Sequence, residues 1–297
     1  MREILTKIWN KKFFIVFVAL MVFLLPQALS RPAQMSMKAV LTEITISKAN
    51  DEYTIDAKMV TVNIDEPKEV SGSGRTLAHA INDLSNVTQR NVSFAHCTQI
   101  IIGEGMEDEN ICDLLRYFVY RAEMNNNCAL AWKEAGRKTT IEKFFKDYNQ
   151  ASSTGHLTYG PNKTAIFTEG KFKMELNEEQ TDALRFILGD RIRKRLSHEN
   201  EIVNIIGNRR NIRIENLDGN PRAVISVRVD ALWESNPYSN RESIRRLEQY
   251  LEKEIKKNIQ SCLGKLYPGT DILNLVERGV TLNDLSFMIK VDVNITK

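Results

Sequence analysis

His96-Cys97 sets an imidazole beside a thiol, the pairing that a cysteine nucleophile uses. Neighbours on a strand point to opposite faces, so adjacency here works against a base reaching its thiol. The four histidines, His79, His96, His156 and His198, lack the HExxH or His-x-His spacing of a metal site. Cys97, Cys112, Cys128 and Cys262 are 15, 16 and 134 residues apart, without the close pairs of a zinc ribbon. An even number permits disulfides in an exported chain, with three pairings. Cys112 and Cys262 fall on apolar helix faces, however, and free buried thiols are the expectation.

Ser71-Gly-Ser-Gly-Arg-Thr76 leads into a helix, where free N–H groups can hold an anion. It lacks the G-x-x-x-x-G-K-[ST] spacing and the G-x-S-x-G elbow, and reads as a loop with a helix cap. Arg191, Arg193, Lys194 and Arg195 follow a helix directly, and a solvated helix C-terminus explains them better than a phosphate or lipid-headgroup site. Asn86, Asn91, Asn162 and Asn294 head glycosylation sequons, which matter only in a eukaryotic secretory pathway. Phe144-Phe145 and Trp233 to Tyr238 could line a pocket, but serve more simply as core or loop anchors. No paired-carboxylate, triad or metal constellation remains. The chain therefore reads as a non-enzyme, with no catalytic, cofactor-binding or metal-binding residue and with its ligand-binding residues unassigned.

Ala39–Ser47 and Tyr53–Asn63 alternate as strands around the turn residues Lys48–Glu52, which predicts a hairpin. A helix is expected from Arg75 to Val87, on a stripe of Leu77, Ala80, Ile81, Leu84 and Val87. Gln99–Ile102 is a short strand. Acids at Glu107-Asp-Glu109 open a helix whose stripe is Ile111, Leu114, Leu115, Phe118, Val119 and Ala122. Cys128–Trp132 is a strand, and Thr139-Thr-Ile-Glu142 is a capping box for a helix reaching Tyr148. Asn149–Pro161, rich in Asn, Ser, Thr and Gly, is the best boundary. Beyond it, Thr164–Thr168 and Lys171–Glu175 flank a Glu169-Gly170 turn, and Asn177 caps a helix from Glu178 to Leu188 that Gly189 ends. Ile212–Ile214 and Val224–Trp233 are strands, the latter with Val227, Val229, Ala231 and Trp233 on one face. The longest helix spans 240–266, with Leu251 and Ile255 mid-stripe and Glu252 and Lys256 paired on the wet side. Ile289, Val291, Val293 and Ile295 form a last strand.

The 297 residues suffice for two or three modest domains. Residues 1–30 hold four bases against one acid, and from Arg31 onward 37 bases balance 37 acids. The basic balance thus belongs to the leader, and nucleic acid is not an expected partner. Composition, at 42% hydrophobic and 27% charged, excludes collagen-like, disordered and multi-spanning chains. Phe13–Leu25 is an unbroken apolar run between Lys12 and Pro26, followed by the small residues Ala28 and Ser30. That is a signal-peptide layout, which an uncleaved anchor shares. Either way residues 31–297 face outward.

Element order and motifs together resemble the Ger(x)C proteins, the C subunits of nutrient germinant receptors in endospore-forming bacteria. Ala39-Val-Leu-Thr-Glu-Ile-Thr-Ile-Ser-Lys48 and Tyr53-Thr-Ile-Asp-Ala-Lys-Met-Val60 are similar to the family's opening hairpin. Ser73-Gly-Arg-Thr76, Leu84-Ser85, Phe94-Ala-His-Cys97 and Ile100-Ile-Ile-Gly-Glu104 follow in the family's order, then the helix Ile111–Arg121. Ala165-Ile-Phe167, Gly170-Lys171, Leu176–Leu188, the Leu247–Lys257 helix and Gly269-Thr-Asp271-Ile272 continue the likeness. Nearly all of 38–297 is covered. The chain departs from the family at the leader, where no lipobox cysteine follows the apolar run, at Thr45 in place of glycine, and in a short Leu273–Asp284. It resembles a divergent member.

The resemblance implies an α+β, mixed multi-domain fold of antiparallel sheets with packed helices, after an N-terminal signal or anchor. The divisions expected are 1–30, an N-terminal domain over 31–150, and a C-terminal domain over 151–297. It implies a non-enzymatic extracytoplasmic component acting in nutrient-triggered spore germination beside integral-membrane A and B subunits. The implied location is the outer face of the cytoplasmic (spore inner) membrane, held there by the leader or by partners. The competing reading is an exported small-molecule (nutrient) binding protein. No cofactor is expected.

Overall fold

Isoleucines two apart need one buried face, and Ile44 and Ile46 find it opposite Ala57 and Ile55. They lie on strand β1 (Lys38–Ala49), antiparallel to β2 (Glu52–Val60). The turn between them is Asn50-Asp51, with φ of 52° and 62°. Both residues are left-handed, the condition for a two-residue turn whose twist suits the strands, and Asn and Asp tolerate it. The computed structural model describes residues 38–60, 67–151, 153–160, 162–198, 201–217, 220–234 and 241–296. The leader, residues 61–63 of the expected second strand, Tyr238 and Asn240 lie outside them.

The Ser71–Gly74 stretch, expected as a loop, is instead part of strand β3 (Lys68–Gly74), which pairs antiparallel with β2. Its glycines serve close approach. A Cβ on Gly72 would lie 2.5 Å from the backbone N of Leu84, and one on Gly74 2.6 Å from the Cβ of His79. Both distances are to helix α1 (Leu77–Thr88), which sits directly on the strand. Thr76 caps α1, its Oγ1 accepting from His79 N at 3.2 Å. Ala80 and Leu84 of the expected stripe are buried, Leu77 and Ile81 are half-buried, and Val87 is exposed. Strand β4 (Asn91–Ser93) runs parallel to β1. Cα packing groups these elements, up to Cys97 and with Ala122–Asn125, as one compact unit. The second unit holds Thr98–Arg121 and the chain from Asn126 on.

The second unit begins with β5 (Gln99–Ile102), α2 (Ile111–Tyr120), β6 (Ala129–Trp132) and β7 (Glu134–Thr140). β5 and β6 are parallel, with α2 as the crossover, and β7 is antiparallel to β6. Asn110 caps α2, so the acids 107–109 precede the helix instead of opening it, and Glu107 pairs with Lys133 at 2.8 Å. α3 (Ile141–Gln150) starts one residue later than the expected capping box: Thr140 Oγ1 accepts from Lys143 N at 3.1 Å. β8 (Thr154–Tyr159) runs through the Asn-Ser-Gly-rich stretch, and β9 (Lys163–Thr168) and β10 (Lys171–Leu176) complete a sheet in the order β10-β9-β8. Glu169 and Gly170, at φ 53° and 81°, make the expected turn. Trp132, Phe144, Phe167 and Phe172 pack as one aromatic cluster, Trp132 stacked on Phe172 with centroids 5.3 Å apart.

α4 (Glu178–Leu188) has both the Asn177 cap and the Gly189 stop that the sequence predicts, with a reciprocal Asn177–Gln180 capping box and Gly189 at φ 77°. The last sheet has the order β11-β12-β13-β14, from β11 (Lys194–His198), β12 (Glu201–Leu217), β13 (Asn220–Trp233) and β14 (Ser286–Thr296). β11 takes up part of the basic cluster, and β12 is far longer than the expected Ile212–Ile214. Helix α5 (Arg241–Leu266) crosses between the parallel strands β13 and β14. Leu247, Leu251, Ile255, Ile259, Cys262, Leu263 and Leu266 are buried in the main core, as the stripe predicts. Glu252 departs from expectation. Its Oε1 accepts from Val293 N at 3.3 Å, and Glu248 Oε1 from Ile295 N at 3.1 Å, so both carboxylates satisfy β14's outer edge.

Two consequences are measurable in urea melts. Leu251→Ala should cost ~2–5 kcal/mol through a core cavity, and Glu252→Ala ~1–3 kcal/mol because an edge N–H loses a charged acceptor; a neutral Glu252→Ala would restore the wet-side reading. Gly72→Ala should cost ~1–3 kcal/mol by forcing α1 off β3, with Ser71→Ala within about 0.5.

Candidate functional site

The chemistry-bearing residues are scattered. Cys97 N donates to Phe94 O at 2.9 Å in a turn that leaves Cys97 buried and His96 exposed, so the two cannot act as nucleophile and base. All four cysteines are buried and outside any disulfide. Burial pushes the Cys262 thiol up to about 12 and raises Cys112 as well, the reverse of an activated thiolate. Among the described residues, no group of three or more His, Cys, Asp or Glu could hold a metal ion. His198 stacks on Tyr250 with centroids 3.5 Å apart.

Two of the four residues of the basic cluster, Lys194 and Arg195, are held by acids. Asp182, buried on α4, receives Lys194 Nζ at 2.5 Å, Asn162 Nδ2 at 2.9 Å and Arg185 Nη1 at 3.6 Å. Lys194 also reaches Glu178 at 3.1 Å, and Arg195 reaches Glu234 at 3.3 Å. Burial works against the Lys194 charge, and the Asp182 and Glu178 carboxylates more than restore it, so its affinity for a proton rises. Phe144 packs into the aromatic cluster, with Phe145 edge-on to it at 6.0 Å, and Trp233 Nε1 donates to Glu201 at 2.6 Å.

Two concave surfaces of the second unit carry polar groups. A groove of about 210 Å³ between α4, α5 and β11 has an apolar floor including Phe186, Ile205 and Leu251, with Glu179 and Glu254 among its polar residues. A larger, more polar cleft of about 380 Å³ gathers Lys143 and Asp147 of α3, His156 of β8, Asp190 after α4, Arg210 of β12 and Arg278 beyond α5. The loop bearing Arg278 is fixed by Asp271, whose Oδ1 and Oδ2 accept from Leu275 N and Val276 N, each at 2.8 Å. This gives Asp271 of the Gly269-Thr-Asp271-Ile272 motif a structural task. Sequence reasoning missed this cleft. Its residues come from five separated segments, and His156 was weighed there only as a lone histidine.

Burial lowers the proton affinity of His156 and outweighs the opposing pull of Asp147 and Asp190. The neutral ring is thereby favoured in the fold.

The architecture is an α+β fold of mixed sheets with packed helices. Two family models match the chain in order: "Spore germination protein N-terminal domain" over residues 38–153, and "Spore germination B3/GerAC like, C-terminal" over residues 162–279. The chain belongs to the Ger(x)C family of spore germination proteins. Among solved structures it is similar to the crystal structure of the GerBC protein, with TM-score 0.56 and 16% identity, over 86% of this chain and 97% of that one. That likeness is one of fold. No curated protein sequence matches the chain.

The His156 geometry has a pH signature. Its folded pKa lies below the ordinary 6.5, so the unfolded chain binds the proton more readily and stability falls as pH drops below that value. Wild type should lose up to ~1.4 kcal/mol per pH unit there. His156→Gln should flatten the stability curve between about pH 5 and 6.5, above the usual carboxylate range; parallel curves would show that the histidine is hydrated.

Proposed function

We infer that the protein is the C subunit of a nutrient germinant receptor: a non-enzymatic, extracytoplasmic component acting beside integral-membrane A and B subunits. The observation carrying this reading is the ordered match of both family models along residues 38–279. The scattered histidines, the burial of all four cysteines and the raised thiols of Cys112 and Cys262 are what a role without a catalytic group would leave.

The family models divide the chain between residues 153 and 162, within Asn149–Pro161, whereas Cα packing divides it near Cys97. We place the domain boundary at the edge of that segment and not near Cys97, giving 31–150 and 151–297 after a 1–30 leader. The leader supports residence at the outer face of the cytoplasmic (spore inner) membrane, since its basic flank stays inside and its apolar run enters the bilayer. Without a cysteine at the end of that run no lipid acceptor stands there, and attachment falls to the retained leader or to the partner subunits. No helix among the described residues is long and apolar enough to cross a membrane.

Deleting the gene in its spore-forming host should abolish or slow germination on the responsible nutrient while leaving a non-nutrient trigger effective, and the full-length gene should restore it. Unchanged nutrient germination would remove the receptor reading. A saturable thermal shift of the purified protein with amino acids or sugars would favour the nutrient-binding alternative. Carbonate extraction with N-terminal sequencing separates the tethers: a fully extractable chain beginning at Arg31 leaves partner subunits alone.

A further inference from the structure

The polar cleft of the second unit brings together three cations, Lys143, Arg210 and Arg278, against two acids, Asp147 and Asp190. Among the described residues neither Arg210 nor Arg278 makes an ion pair, whereas Lys143 in the same cleft is held by Asp147 at 2.6 Å. The two guanidiniums feel each other. Burial and the Arg278 charge both oppose the charged state of Arg210, and Asp190 alone favours it. Both side chains reach solvent, so their repulsion is moderate, and an anion held between them would remove it.

A structural task explains only part of this. The Arg210 stem lies over the C-terminal stop of α4, where a Cβ on Gly189 would come 3.0 Å from Arg210 Nε. Helix carbonyls there attract a cation. They do not account for Arg278, which arrives on a separate loop held in place by Asp271. Guanidinium groups present planar forks of donors that match carboxylate and phosphate oxygens. Leu188 and Leu273 add apolar wall, and at about 380 Å³ the cleft exceeds the volume of one inorganic ion.

We propose that this cleft binds a small organic oxyanion, its carboxylate or phosphate head between Arg210 and Arg278 and its body against Leu188 and Leu273. The proposal is independent of the receptor reading. The head could belong to a free metabolite or to an anionic lipid, and the two sources are separable by experiment.

Thermal shifts of the full-length protein would be read with sodium phosphate and with sodium succinate, at ionic strength held constant by chloride. A saturable rise with either probe is expected, at least tenfold weaker in Arg210→Gln and Arg278→Gln and unchanged in Arg209→Gln, the exposed neighbour outside the cleft. Without any added oxyanion, Arg278→Gln should melt no lower than wild type, because relief of repulsion offsets any lost packing. Pelleting with phosphatidylglycerol vesicles, corrected for phosphatidylcholine, assigns a lipid headgroup if the arginine variants reduce it, and a free anion if only the soluble probes respond. Absence of any arginine-dependent response to phosphate, succinate and vesicles overturns the proposal. So does an equal loss in Arg209→Gln, or an Arg278→Gln protein that melts several degrees lower without oxyanion.

Discussion

The parallel pairing of β14 with β13 is the constraint on which the C-terminal half depends. Its register runs from Arg222↔Ser286 to Leu232↔Thr296. A parallel neighbour cannot be reached through a tight turn, so the chain must travel back along the sheet before it can pair. Helix α5 makes that journey: its 26 residues rise ~39 Å. Its apolar stripe seals one face of the sheet, while Glu248 and Glu252, one turn apart, occupy N–H groups of β14. The loop from Asp271 onward, which carries Arg278 into the cleft, is reached only because α5 ends where it does.

Local signals told most of the fold in advance. Asn177 and Gly189 bounded α4 because caps act through their immediate neighbours. The two hairpin turns and the α5 stripe were legible for the same reason: each is written within a few residues. Failures came where the deciding partner is remote in sequence. Ser71–Gly74 has the composition of a loop, and only the presence of α1 above it makes glycine the fitting residue for a strand. Lys194 looked solvated because its partner Asp182 lies on another element. Glu252 looked wet because strand β14, 41 positions further on, is invisible to helical periodicity.

The same distinction separates family from site. Order and motif along the chain identify the Ger(x)C family without any structure, since the likeness is linear. The cleft is assembled from α3, β8, the end of α4, β12 and the loop after α5, so no window of sequence holds more than a fragment of it. The absence of familiar catalytic spacing was readable. Two arginines brought to one cleft from β12 and from the loop after α5 were not.

The glycines of β3 have a consequence for how the strand finds its place. β3 lies at the end of the order β3-β2-β1, and its sequence is polar and small, the kind of strand whose register is weakly dictated by hydrophobic patterning. A slip of one residue would turn Ser71 and Ser73 toward α1, where even a bare Cβ at the glycine positions meets helix atoms at 2.5–2.6 Å. Mispaired alignments are therefore rejected by collision more than by lost attraction. Gly72 and Gly74 work as the notches of a key: the helix closes down only when the empty positions pass beneath it.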